Sequence, residues 1–271
     1  MNNNIKKFIK QTISDLIKST SNNEKIDKLS LRHKKKIHFI PIRYRIFGGL
    51  LQSMNINFGN FVEKLLHKII KSEKDLTINK NSSKKIILPI TQRSSDLIDT
   101  HITDCQTENF DEEELVNKFN SLLDMCLKFE ENTQEKTVNN TKKHDIDVLF
   151  SVKNDKVYYL EIKYNDDHDT GKYEEINRRF LKSYIGISNI IKVYDREKFK
   201  PIIYYLTQKK LKGNIYTPEK ENIYRGKKLF EEFFTVKYSD LDDFLNKIGD
   251  DKDIIELFDN LYNKVRKDLS L

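Results

Sequence analysis

Glu161 and Lys163 stand two residues apart in an otherwise apolar run, YYLEIK, and this pair is where the sequence carries chemistry. Strand side chains alternate between the faces of a sheet, so Glu161 and Lys163 share one face while Leu160 and Ile162 point to the other. An acid and a lysine in such a strand are costly unless they have partners or a task. A second strand-like run, Ile146 to Val152, precedes it across Lys153-Asn154-Asp155, a short polar connection that suggests a β-hairpin. Folding there brings Asp147 beside Glu161 and forms a mouth of two carboxylates. Two such groups repel each other, and one pKa rises unless a divalent cation neutralises them. Oxygen ligands at a partly hydrated site suit Mg²⁺, which also binds phosphate. A metal held there can bind a scissile phosphate, acidify a bound water and stabilise the leaving oxygen. Lys163 would add a point positive charge for the attacking water or the transition state. Asp145 is the rival to Asp147, since it shares its face; Asp147 is preferred because the apolar core of the strand follows it directly. The bland alternative is a charged cross-strand network on a solvated face.

Elements on either side must hold this hairpin. Phe58, Phe61, Val62, Leu65, Leu66, Ile69 and Ile70 fall at the three-and-four spacing of a buried helical face. A mixed apolar segment, Ile42 to Phe58, leads into it. Asp111 to Glu131 reads as a helix with an acidic first turn that suits the helix dipole. Asn132 to Lys143 reads as a polar loop. After the hairpin, Tyr173 to Ile190 has helical spacing, Pro201 to Thr207 reads as a buried strand, and Arg225 to Leu271 holds two or three amphipathic helices. Helices around a small mixed sheet make an α/β domain. We expect residues 36–271 to form it and residues 1–35, polar and lysine-rich with an amphipathic stretch from Ile5 to Ile17, to form a peripheral helix or arm.

Further polar residues cluster near the hairpin in sequence. His168 could act as a general base or contact a ligand, although a histidine in a polar loop is commonly just solvated. Asp169 and Thr170 suit the N-cap of the following helix. Lys172, Arg178 and Arg179 open that helix just beyond the chemical strand and are placed for phosphate contacts, as is Arg225 in Arg225-Gly226-Lys227; a solvated basic face is the alternative for all four. Glu63 borders the apolar face of the earlier helix, beside Gly59 and Leu66, and an ion pair with His67 is its ordinary reading. Gln52, Asn55 and Asn57 lie near it.

The whole chain is compatible with a nucleic-acid partner. Its 271 residues are 37% hydrophobic and 34% charged, enough for one large domain or two small ones. No apolar run approaches a membrane span, and Met1 to Lys10 lacks the pattern of a secretory signal, so no membrane association is expected. Cys105 and Cys126 are too few for a disulfide framework and suit a reducing cytoplasm. The net charge of +7 suits a polyanion. The abundance of Lys, Asn and Ile also follows from AT-rich codon usage, so the charge permits DNA without requiring it.

Asp, a spacer and then Glu-x-Lys on adjacent strands resembles the active site of the PD-(D/E)xK nuclease superfamily, with Ile146 where the proline of that name would stand. EIKYNDDHDTGK (Glu161 to Lys172), RIFGGLLQSMNINFGNFVEKLL (Arg45 to Leu66) and GNIYTPEKENIYRGKKLF (Gly213 to Phe230) together resemble a type II restriction endonuclease, of the TdeIII-like branch. These segments lie within residues 40–235, most of the chain. The resemblance implies a restriction-endonuclease-like core and Mg²⁺-dependent cleavage of both strands of unmodified DNA at a short palindrome, of GGNCC type in that branch, leaving 5′-phosphate ends. It implies a methyltransferase that protects the host, and Glu63 as an acid brought to the metal from an early helix. Cutting a palindrome suggests a twofold homodimer. A repair or junction-resolving nuclease of the same superfamily, or a DNA-binding protein with a silent nuclease site, would share these features.

Overall fold

In the computed structural model, residues 1–132, 144–153 and 155–268 are described. In chain order come helices α1 (Asn3–Thr20), α2 (Asn23–Lys34) and α3 (Ile42–Ile70), strands β1 (Leu76–Ile78) and β2 (Lys85–Ile86), and helices α4 (Gln92–Thr107) and α5 (Glu112–Asn132). Strands β3 (His144–Asp145), β4 (Val148–Val152) and β5 (Lys156–Lys163) lead to helix α6 (Thr170–Ile191) and strand β6 (Phe199–Tyr205). Then follow α7 (Glu219–Asn222), β7 (Ile223–Arg225), α8 (Lys227–Phe233), α9 (Tyr238–Ile248) and α10 (Lys252–Asp268). The stretch expected as a loop from Asn132 to Lys143 lies outside the described residues, except that Asn132 ends α5.

Two compact units emerge: Met1–Leu65 with Val236–Leu271, and Leu66–Thr235. The first unit is helical. Asn2 and Asn22 cap α1 and α2 by accepting the amides of Ile5 and Lys25, each at 2.9 Å. Ile5, Ile9 and Ile17 line the buried face of α1, and Lys10 on another face pairs with Asp251 and Asp253 at 2.9 and 2.8 Å. The mixed segment before Phe58 is helical as well, so α3 is one continuous helix.

The second unit is built on a five-stranded sheet in the order β1-β4-β5-β6-β7. β1, β4 and β5 pair antiparallel, whereas β5-β6 and β6-β7 are parallel. This is the mixed sheet expected of the α/β fold. The hairpin forms where the sequence placed it, with Lys153 at φ 49° in its turn. Parallel neighbours need a crossover, and α6 provides it between β5 and β6. The periodicity of α6 puts Phe180, Leu181, Tyr184 and Ile187 into the core with Leu149, Tyr159 and Ile203 of the sheet and Phe119, Leu123 and Cys126 of α5. Each large side chain so buried contributes roughly 1.5–3 kcal/mol. Gly186 of α6 is required for this packing, because a Cβ there would lie 2.6 Å from that of Leu88. Cys105 and Cys126 are free and buried, and burial pushes their thiols up to about 11 and 12. On the opposite face, Phe233 of α8 packs edge-on to Phe150 and Tyr158, with ring centroids 5.2 and 4.7 Å apart.

α5 opens with a reciprocal cap, Asp111 accepting the amide of Glu114 at 2.9 Å and Glu114 that of Asp111 at 3.0 Å. Asp169 caps α6 by accepting the amide of Lys172 at 2.9 Å, as its place in the sequence suggested.

Candidate active site

The β4–β5 register pairs Val148 with Leu160, which sets Asp147, one residue earlier, opposite Glu161. The Asp147 carboxylate accepts the amide of Ile162 at 2.8 Å, tying it to β5. A break between β3 and β4 makes this possible, and the turn before β2 holds it. Ser83 N donates to Ile146 O at 2.7 Å and Ile146 N to Lys84 O at 3.1 Å. Ser82 Oγ accepts the amide of Leu149 at 2.8 Å. Nε2 of His67 lies 3.3 Å from the Asp147 carbonyl and 3.1 and 3.0 Å from the hydroxyls of Ser82 and Ser83. Asp145, the rival aspartate, sits on the exposed β2–β3 ladder, 3.7 Å from Lys85.

Glu161 is fully buried, and both of its oxygens are engaged. Oε1 accepts Lys163 Nζ at 2.6 Å and Arg179 Nη2 at 2.7 Å, while Oε2 accepts the hydroxyl of Tyr159 at 2.6 Å. Tyr159, Glu161 and Lys163 follow at alternate positions of β5 and therefore share a face. Burial would raise the Glu161 carboxyl; Lys163 and Arg179 outweigh it and bring the pKa down to about 2. Burial, then the charges of Glu161 and Asp147, raise the Tyr159 phenol, so it stays protonated and donates. Lys163 also donates to Ile162 O at 3.1 Å.

The oxygens of Asp147, just before β4, and of Glu161, on the neighbouring β5, are the kind of donor that fits a hard cation that keeps most of its waters. Among the described residues no group of three or more His, Cys, Asp or Glu side chains could hold a metal ion. Glu63 lies half-buried on α3, in the first unit.

The candidate DNA contacts divide by their partners. Lys172 is exposed at the start of α6. His168 is half-buried beside it; its carbonyl accepts Lys212 Nζ, and its buried Nε2 has no hydrogen-bond partner. Burial first, then Lys172 and Lys163, lower the pKa of its imidazole. Arg178 is tied to Asp99 of α4 at 2.9 Å and to Glu174 at 2.7 Å, bridging two helices. Arg179 reaches the Glu161 carboxylate. Arg225 pairs with Asp166 at 2.9 Å and Glu219 at 3.0 Å and lies over the Tyr205 ring, 4.7 Å from its centroid.

Three of these roles were not read from the sequence. Tyr159 could have been, because it shares the period-two face of Glu161. His67 was read as a partner for Glu63, since its neighbours Ser82 and Ser83 are distant in sequence. Asp166 is fully buried and accepts the amides of Leu211 and Lys212, each at 3.0 Å. Within Asn165-Asp166-Asp167-His168-Asp169, nothing local distinguishes it.

Asp147, Glu161 and Lys163 thus lie together across the β4–β5 pair. The family described as "Type II restriction endonuclease, HinfI" matches residues 1–249. The type II restriction enzyme HinfI of Haemophilus influenzae is 41% identical over 271 residues, covering 98% of each chain. The family carries the HinfI name, where the sequence had suggested the TdeIII-like branch. No solved structure matches. Among the described residues no helix is long and apolar enough to cross a membrane. A match across nearly the whole chain leaves one assignment: this protein belongs to the HinfI family of type II restriction endonucleases.

Proposed function

We propose that this restriction endonuclease uses Asp147, Glu161 and Lys163 as its catalytic set, with Mg²⁺ as the metal. Its class cleaves DNA at specific sites as a defence, which sets aside the repair and junction-resolving readings. The observation that carries the proposal is the β-register that opposes Asp147 to Glu161, with Lys163 Nζ 2.6 Å from the latter. Bound Mg²⁺ would supply positive charge at the scissile phosphate and a more acidic water. Asp147 and Glu161 would hold it. Tyr159 fixes the rotamer of Glu161 by holding Oε2, so that Oε1 faces Lys163 and Arg179. Lys163, anchored by the Ile162 carbonyl, orients the attacking water and balances charge that develops at phosphorus.

His168, Lys172 and Arg179 would contact DNA phosphates from the loop and helix beyond β5. The ion pairs of Arg178 and Arg225 support a bracing role, with Arg178 steadying α6 and Arg225 the edge of the sheet. Two copies related by a twofold axis would cut both strands of a palindromic site. A methyltransferase of the same specificity would protect host DNA, and the protein would work in the reducing cytoplasm, where two buried thiols stay free.

Unmethylated phage DNA incubated with the purified protein tests this, with Mg²⁺ or EDTA and beside Lys163→Ala. Discrete fragments that need Mg²⁺ and vanish in the variant are expected. Uncut DNA despite measurable binding would mean a silent site, and full activity of Lys163→Ala would remove the assigned set. A single sedimenting monomer, free and on DNA, would remove the dimer.

A further inference from the structure

Glu161 is given to two cations at once. Its Oε1 accepts Lys163 Nζ at 2.6 Å and Arg179 Nη2 at 2.7 Å, and the carboxylate itself is completely buried. These two cations are held differently. Lys163 comes from the same strand, is 19% exposed and is also anchored to the Ile162 carbonyl. Arg179 arrives from α6 on a long side chain that is 44% exposed. Its neighbour Arg178 is fixed between Asp99 and Glu174, so the helix places one braced arginine beside one that ends on the site.

We propose that Arg179 is an exchangeable counter-cation. It holds the Glu161 carboxylate until a divalent ion arrives, is displaced by that ion, and then turns to the DNA phosphate. This rests on the reading of Glu161 as a metal ligand. A dication and a guanidinium on one carboxylate oxygen repel each other, and the cation with solvent to move into is the one that leaves. A guanidinium is weakly hydrated and matches phosphate geometry in two-point contact, so release from Glu161 leaves it suited to DNA. Tyr159 is the fixed member: its hydroxyl on Oε2 keeps the carboxylate in place while the occupant of Oε1 changes. Metal binding and DNA binding are thereby coupled through one side chain.

The test measures Mn²⁺ binding to the full chain without DNA, by the loss of the free-ion paramagnetic resonance signal. The wild type, Arg179→Met, Arg179→Lys and Glu161→Gln are compared. Arg179→Met keeps the apolar stem and removes the competing charge, and it should bind Mn²⁺ on the order of fivefold more tightly. Arg179→Lys should stay near the wild type. Unchanged or weaker binding by Arg179→Met, with binding lost in Glu161→Gln, would overturn the exchange and leave the metal site standing. Unaltered binding by Glu161→Gln would overturn the metal-site reading, and the exchange with it. The wild type alone offers a second readout that needs no variant. The salt dependence of DNA binding should steepen by about one phosphate contact in Ca²⁺ relative to EDTA. Equal slopes would overturn the exchange.

Discussion

Two fully buried carboxylates stand within five residues of each other, and they are satisfied in opposite ways. Glu161 is held by side chains alone: a lysine, an arginine and a phenol. Asp166 is held by two main-chain amides, of Leu211 and Lys212, and by Arg225, whose side chain is only 11% exposed. Amides in a fixed loop cannot leave, whereas a half-exposed arginine can. Asp166 therefore works as a rivet that fastens the segment after β6 to the segment after β5. Glu161 works as a socket whose contents can change. Equal burial thus conceals unequal roles, and the nature of the donors separates them.

The comparison can be broken by substitution. Removing the socket's lysine should have the largest effect: Lys163→Ala should lower the cleavage rate about a thousandfold, with folding unchanged by circular dichroism. Next, Asp166→Ala should destabilise the fold by about 3 kcal/mol in urea unfolding, because it strands two amides in the interior and leaves Arg225 paired with Glu219. A cost below about 1 kcal/mol would end the rivet reading.

The acid limb sharpens the contrast further. The folded pKa of Glu161 is depressed from the ordinary 4.5 to about 2. Its contribution to stability is therefore present above 4.5 and lost as pH falls toward 2. The melting temperatures of the wild type and Glu161→Gln should converge across that window, and a constant gap would contradict the ion pairs. The smallest effect belongs to Tyr159→Phe, which leaves Oε2 without its donor. About 1 kcal/mol of stability should be lost, with a few-fold weaker Mn²⁺ binding as the specific sign of a positioning role.

Much of this centre was legible in the sequence because strands have a short period. Glu161, Lys163 and the apolar residues between them fix their own faces, and the polar connection at Lys153–Asp155 fixes the pairing, so Asp147 follows. Long helices were legible for the same reason: α5 and α6 begin and end within three residues of their expected bounds. Strand β6 was expected at Pro201 to Thr207 and runs from Phe199 to Tyr205. Phe199 and Lys200 precede the expected run but pair with Val157 and Tyr158 of β5, and that pairing puts the start of the strand at Phe199. Helix α4 was not foreseen, since its buried face consists of Ile98, His101, Ile102 and Cys105 within a polar stretch. The two-residue strands β2 and β3 exist only through each other. Asp99 beside Arg178, and the partners of Arg179 and Arg225, were also hidden, because each lies on a different element and no periodicity links them.

The buried thiols of Cys105 and Cys126 have a practical side. With pKa values of about 11 and 12, both stay protonated and shielded at neutral pH. Alkylating dyes should pass them by, which makes the native chain a silent background for labelling. A single cysteine introduced at exposed Lys209 would then be the one reactive handle, and a fluorophore there could report on the segment that Asp166 fastens. Rapid modification of the unaltered protein would show that this background is not silent.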